Sequence, residues 1–146
     1  MKVLFLCHGN INRSAAGEII LRRMKPDWKV CSAGLKENAG GSITAKKMRD
    51  ALNEKGFLTS GIRSQPTTQN LVEWADVIFY MDEGNRKRLE EKFGHVMHKS
   101  ILLASLIGES KIPDPNFAPN NELHKRVIDM IVKALGVYID GLSEKN

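Results

Sequence analysis

Short apolar runs that alternate with segments of helical period constrain this chain more than any other feature. Residues 2–6 form one such run, ending at Cys7; residues 28–33, closed by Gly34, form a second, and residues 76–81 and 100–104 form two more. Their length and β-rich composition read as strands, and the 76–81 run has the continuous apolar character of a strand buried on both faces. Between them, residues 15–24 carry Ile19, Ile20 and Met24 at helical spacing, and residues 44–55 carry Met48 and Leu52 on one face before Gly56. Residues 69–75 read as a short helix and 83–93 as a charged surface helix. Residues 112–120 form a proline-punctuated loop, and Leu123, Val127, Ile131, Leu135 and Ile139 place a long terminal helix over 122–142. Strands and helices in alternation argue for an α/β fold with a parallel sheet and helices on both faces, because parallel neighbours need right-handed crossovers. The 146 residues suit a single domain over residues 1–146.

In such sheets ligands bind beyond the carboxyl ends of the strands where strand order reverses, so the loop after the first strand is a natural site. That loop reads Cys7-His8-Gly9-Asn10-Ile11-Asn12-Arg13-Ser14, a Cys-x5-Arg-Ser spacing between strand and helix. Five intervening residues let the backbone curl so that several N–H groups converge on one anion, and the helix N-terminus adds its partial positive charge. The same field favours a thiolate on Cys7, the nucleophile that phosphoryl transfer needs. Arg13 offers a planar fork to two phosphoryl oxygens, which lysine cannot, and the Ser14 hydroxyl can donate to the Cys7 sulfur. The bland alternatives are a buried strand-end cysteine and a surface arginine. Asn10 suits a left-handed turn and could tie the loop to a neighbour such as Ser32, or be an ordinary turn residue.

These residues resemble the low-molecular-weight protein tyrosine phosphatases, and the resemblance runs over nearly the whole chain. Ser32-Ala33-Gly34, Ala75-Asp76-Val77-Ile78, Met81-Asp82-Glu83-Gly84-Asn85 and Asp114-Pro115 match further segments of that family. The resemblance implies a four-stranded sheet of order 2-1-3-4 and a phosphocysteine intermediate on Cys7. It also implies a role for Asp114 as general acid and then as base toward water, although Pro-Asp-Pro alone reads equally as a turn. Catalysis is thus expected from Cys7, Arg13 and Asp114. Substrate binding is expected from His8, Gly9, Asn10, Ile11, Asn12 and Ser14, with Asn38, Asn116 and Phe117 as pocket walls.

The chain departs from the family in several places. Asn12 stands where a second, protective cysteine is usual, and Asn38 and Asn116 stand where aromatic walls are common. Phe117 could stack on a substrate ring or anchor the loop to the core, and His8 could meet substrate or solvent. A histidine that usually braces the phosphate loop is replaced near Gly61. Ile11 favours aryl phosphates over phosphoarginine, since related arginine phosphatases carry a small polar residue there.

The substrate expected is a phosphorylated protein, phosphotyrosine first, or a small phosphate ester, with phosphate or another oxyanion in the loop. Neither cofactor nor metal is expected: His95 and His98 lack a third ligand nearby, and His124 reads as a helix-surface residue. Cys31 reads as a small core residue rather than a partner for Cys7. An arsenate reductase would need further cysteines for its relay, and a binding module without turnover would not need Cys7, Arg13 and Asp114 together. The net charge of +5 is spread among interleaved acids, which argues against nucleic acid, and no apolar stretch is long enough to span a bilayer. A cytoplasmic monomer is expected, two cysteines without a signal segment being no disulfide framework.

Overall fold

The computed structural model describes residues 1–144. Four strands, β1 (Lys2–Cys7), β2 (Lys29–Gly34), β3 (Val77–Tyr80) and β4 (Ser100–Leu102), form one sheet in the order β2-β1-β3-β4. All three pairings are parallel, with Cys7 opposite Gly34 and Leu6 opposite Tyr80. The helices are α1 (Arg13–Met24), α2 (Lys46–Glu54), α3 (Gln69–Trp74), α4 (Glu83–Phe93) and α5 (Glu122–Glu144). The expected α/β architecture and strand order are therefore present, and strand order reverses between β1 and β3, which places the crevice over Cys7.

Side chains of β1 alternate between two cores. Val3, Phe5 and Cys7 pack with α1, α2 and α5 through residues such as Ile20, Leu52 and Ile131, while Leu4 and Leu6 pack with α3 and α4 through Val72 and Leu89. This parity points Cys7 toward the face that carries α1. Glycine permits the close approach of α1 to the sheet, because a Cβ on Gly17 would fall 2.6 Å from the Phe5 ring. Cys31, opposite Leu4 in the register, packs with the α3 and α4 face, so the sheet stands between the two cysteines. It is half-buried rather than a full core residue, and burial, then the nearby Glu18 carboxyl, pushes its thiol up.

Two local expectations need correction. The fourth strand ends at Leu102 and gives way to a 3-10 segment, Leu103–Ile107, where the Ser105 hydroxyl donates to the Leu102 carbonyl at 2.6 Å. His124 is not on the helix surface: it is buried with Val127, Ile128, Ile131, Ala134 and Leu135 along the inward face of α5. Burial, followed by the Lys47 charge, holds its imidazole below the ordinary basicity. No described helix is long and apolar enough to cross a membrane.

Candidate active site

Residues 7–14 wrap a small cavity of about 60 Å³ lined by Cys7, Gly9, Ile11, Asn12, Arg13 and Asp114, with His8, Lys36 and Asn116 at its edges. The loop is held by its carbonyls. Leu35 N–H donates to Cys7 O, Lys36 N–H to His8 O, Ala45 N–H to Ile11 O and Ala16 N–H to Asn12 O, at 2.9 to 3.0 Å. With the carbonyls turned outward, the amides of Gly9, Ile11 and Asn12 have no acceptor among the described residues and are free for an anion. The fit against β2 requires glycine at position 34, where a Cβ would lie 2.6 Å from Ala39 and 3.0 Å from His8 O.

Asn10 organises the loop. Its φ of 59° is the left-handed conformation that asparagine tolerates, and its own amide N–H reaches the Cys7 sulfur at 3.3 Å. Its Nδ2 donates to Ser14 Oγ at 2.8 Å and to Ser32 Oγ at 2.9 Å, while its Oδ1 accepts from Gln65 N–H at 3.0 Å. Ser14 Oγ accepts from Asn10 and lies 2.9 Å from the Cys7 sulfur, so its hydroxyl can donate to a thiolate there. The sulfur receives the Asn10 N–H and has a second donor, the Ser14 hydroxyl, within reach, an arrangement that can serve a thiolate. By the same logic Ser32 donates onward to Glu18 Oε1 at 2.7 Å. Burial first pushes the Glu18 carboxyl up, and the Ser32 hydrogen bond and Arg22 only partly offset it.

Arg13, the first residue of α1, is buried. Its Nη1 donates to Asp82 Oδ2 at 2.7 Å and to Ile112 O at 3.0 Å, and its Nη2 lies 3.7 Å from Asp114 Oδ2. Asp82 follows β3, caps α4 by accepting from Asn85 N–H at 2.8 Å, and so fixes the guanidinium from the other side of the crevice. Burial pushes the Asp82 carboxyl up, but hydrogen bonds from Arg13 and the Asn85 amide outweigh it and hold the group below its ordinary value. Nε and Nη2 of Arg13 remain as a fork toward the cavity.

Asp114 overhangs the cavity with a half-exposed side chain, and its Oδ1 also accepts from Asn116 N–H at 3.0 Å, so the turn and the overhanging position coexist. Asn116 lines the cavity, whereas Asn38 lines an adjoining groove. Phe117 does neither thing expected of it: at 95% exposure and φ 70° it points away from the core and is absent from the cavity lining. His8 is an exposed rim residue whose basicity is lowered by partial burial and then by Arg88 and Lys36.

Four residues of this site were not singled out for a role by sequence reasoning. Gln65 takes over the bracing left open near Gly61, through the Asn10 contact and through its Nε2 to Ser32 O at 3.0 Å. Glu18 ends the serine chain, Asp82 anchors Arg13, and Lys36 lies at the rim. Only Asp82 had a signal, since it falls in the matched segment Met81-Asp82-Glu83-Gly84-Asn85.

The site's surroundings are shared widely. Residues 2–146 match the family model described as low molecular weight phosphotyrosine protein phosphatase. A probable low molecular weight protein-tyrosine-phosphatase, AmsI of Erwinia amylovora, is 28% identical, covering 97% of this chain and 96% of the relative. A protein-arginine-phosphatase of Geobacillus stearothermophilus is 29% identical over 99% of this chain and 95% of the relative. Among solved structures, Wzb of Vibrio vulnificus in complex with benzylphosphonate superposes with a TM-score of 0.89 at 26% identity, covering 96% of this chain and 97% of that one. With the match extending over both cores, the phosphate-sized loop and the segments that carry Asp82 and Asp114, the chain belongs to the low molecular weight phosphotyrosine protein phosphatase family.

Proposed function

We propose that the chain hydrolyses phosphotyrosine in proteins through a phosphocysteine on Cys7, acting in the reducing cytoplasm. The observation that carries this reading is the sulfur's position, where it accepts from Asn10 N–H at 3.3 Å and lies 2.9 Å from the Ser14 hydroxyl in the cavity that Arg13 also lines. In the first step Cys7 Sγ attacks phosphorus, an S–P bond forms, the ester P–O bond breaks, and the Asp114 carboxyl gives its proton to the departing phenolic oxygen. In the second, water attacks phosphorus, the Asp114 carboxylate takes the water's proton, the S–P bond breaks and phosphate leaves. The Gly9, Ile11 and Asn12 amides and the guanidinium carry the charge on the equatorial oxygens through both steps.

One relative is described as an arginine phosphatase, and Ile11 at the cavity lip supports the aryl substrate instead, since an apolar side chain packs against a ring better than against a guanidinium. Purified wild type and its Cys7→Ser variant, assayed in chelator with p-nitrophenyl phosphate and with phosphotyrosyl and phosphoarginyl peptides, test the reading. Turnover of the aryl phosphates by wild type alone supports it. Turnover by the serine variant, or of phosphoarginine in preference, contradicts it.

A further inference from the structure

The reaction cavity, at about 60 Å³, accepts a phosphoryl group and little else. Beside it, sharing His8 and Lys36, runs a charged groove of about 760 Å³. One wall is a single face of α4, where Gly84, Lys87, Arg88, Glu91 and Lys92 recur at i, i+3, i+4, i+7 and i+8. The other wall is the segment after β2 that carries Lys36 and Glu37. Four cations therefore face two carboxylates. Arg86 on the same helix is held by Glu83 and Glu90, yet among the described residues no carboxylate pairs with Lys36, Lys87, Arg88 or Lys92. Arg88 and Lys36 follow burial in lowering the basicity of His8 at the shared rim.

The geometry has the dimensions of a chain rather than of a second phosphate. From Gly84 to Lys92 the helix advances about 12 Å, the span of roughly three to four extended residues. We propose that this groove docks an acidic segment beside the phosphorylated residue of a protein substrate, with Lys36, Lys87, Arg88 and Lys92 facing its carboxylates while the phosphoryl group enters the Cys7 loop. The inference rests on the hydrolase reading above and assigns the substrate feature that the small cavity, with no aromatic wall, leaves undetermined.

Two phosphotyrosyl peptides of equal length test it, one with Asp and Glu flanking the phosphorylated residue and one with Asn and Gln. At low salt the wild type should turn over the acidic peptide with a kcat/KM about tenfold higher or more, and the advantage should shrink as ionic strength rises. The double variant Lys87→Glu and Arg88→Glu, both exposed and outside the reaction cavity, should lose that preference while p-nitrophenyl phosphate turnover stays within about twofold. Fluorescence anisotropy of the same peptides on the Cys7→Ser variant, with and without the charge reversals, reads the groove without turnover and should rank them alike. Equal use of both peptides, a preference that survives charge reversal, or better use of a small bisphosphorylated ester than of the acidic peptide overturns the proposal. Absent p-nitrophenyl phosphate hydrolysis by wild type contradicts the hydrolase reading instead, and the anisotropy arm still decides the groove.

Discussion

In the loop of residues 7–14 the carbonyls of Cys7, His8, Ile11 and Asn12 are tied to other segments, and Asn10 is hydrogen-bonded on both side-chain atoms. In the loop of residues 112–121 that faces it, Asp114, Asn116 and Phe117 are exposed, and Asp114 is held by one local turn and a 3.7 Å contact to Arg13. The first loop is preorganised for an oxyanion and needs no rearrangement when one arrives. In the reaction proposed above, the second would supply a proton from an exposed position in exchange with water. The proposed reaction thus assigns phosphate recognition to the more tightly held half of the site and leaving-group chemistry to the looser half.

If that division holds, damage to the rigid half should cost more. Arg13→Lys removes the fork while keeping the charge, and kcat/KM for p-nitrophenyl phosphate should fall about a thousandfold, with inorganic phosphate inhibiting much less. Asp114→Asn should lower kcat about a hundredfold on phosphotyrosyl peptide with little change in phosphate inhibition, and less on p-nitrophenyl phosphate, whose leaving group needs a proton less. Equal losses on the two substrates would break the assignment of the looser loop. Asp82→Asn sharpens the comparison through stability, at about 1 to 3 kcal/mol, because it leaves the buried Arg13 with a neutral partner. The native Asp82 carboxyl lies below its ordinary value of 3.8, so the stability of this pair is fully present above that pH and is lost as pH falls through the lower native value. The gap between wild type and variant in urea denaturation should therefore be wide at neutral pH and narrow below about pH 4.

The same two halves differ in how much of them is legible in the sequence. The rigid half announces itself locally: Cys7 ends an apolar run, and Arg13 and Ser14 stand between that run and a helical pattern, although α1 begins at Arg13, two residues before the expected start. The bounds of α4, Glu83–Phe93, are likewise those expected, because its charged pattern is a local signal. What holds the loop is not local. Ser32, expected as a tie for Asn10, reaches it from 22 residues away, but Gln65 does so from 55 residues away and nothing in its own neighbourhood marks it. Phe117 misleads because an aromatic after Asp-Pro is read as packing, whereas the turn around Asp114 sends it outward. His124 misleads in the opposite sense, since a polar residue on a helix is taken as exposed until the register of Val127, Ile128 and Ile131 puts it inside.

The most direct test of the thiolate's role is acid quenching of wild type during turnover of a phosphotyrosyl peptide, followed by mapping of the phosphate by mass spectrometry. Phosphate should be found on the peptide containing Cys7, and the Cys7→Ser protein should not turn over. Steady hydrolysis with no phosphate on Cys7, or undiminished turnover by the serine variant, would contradict it.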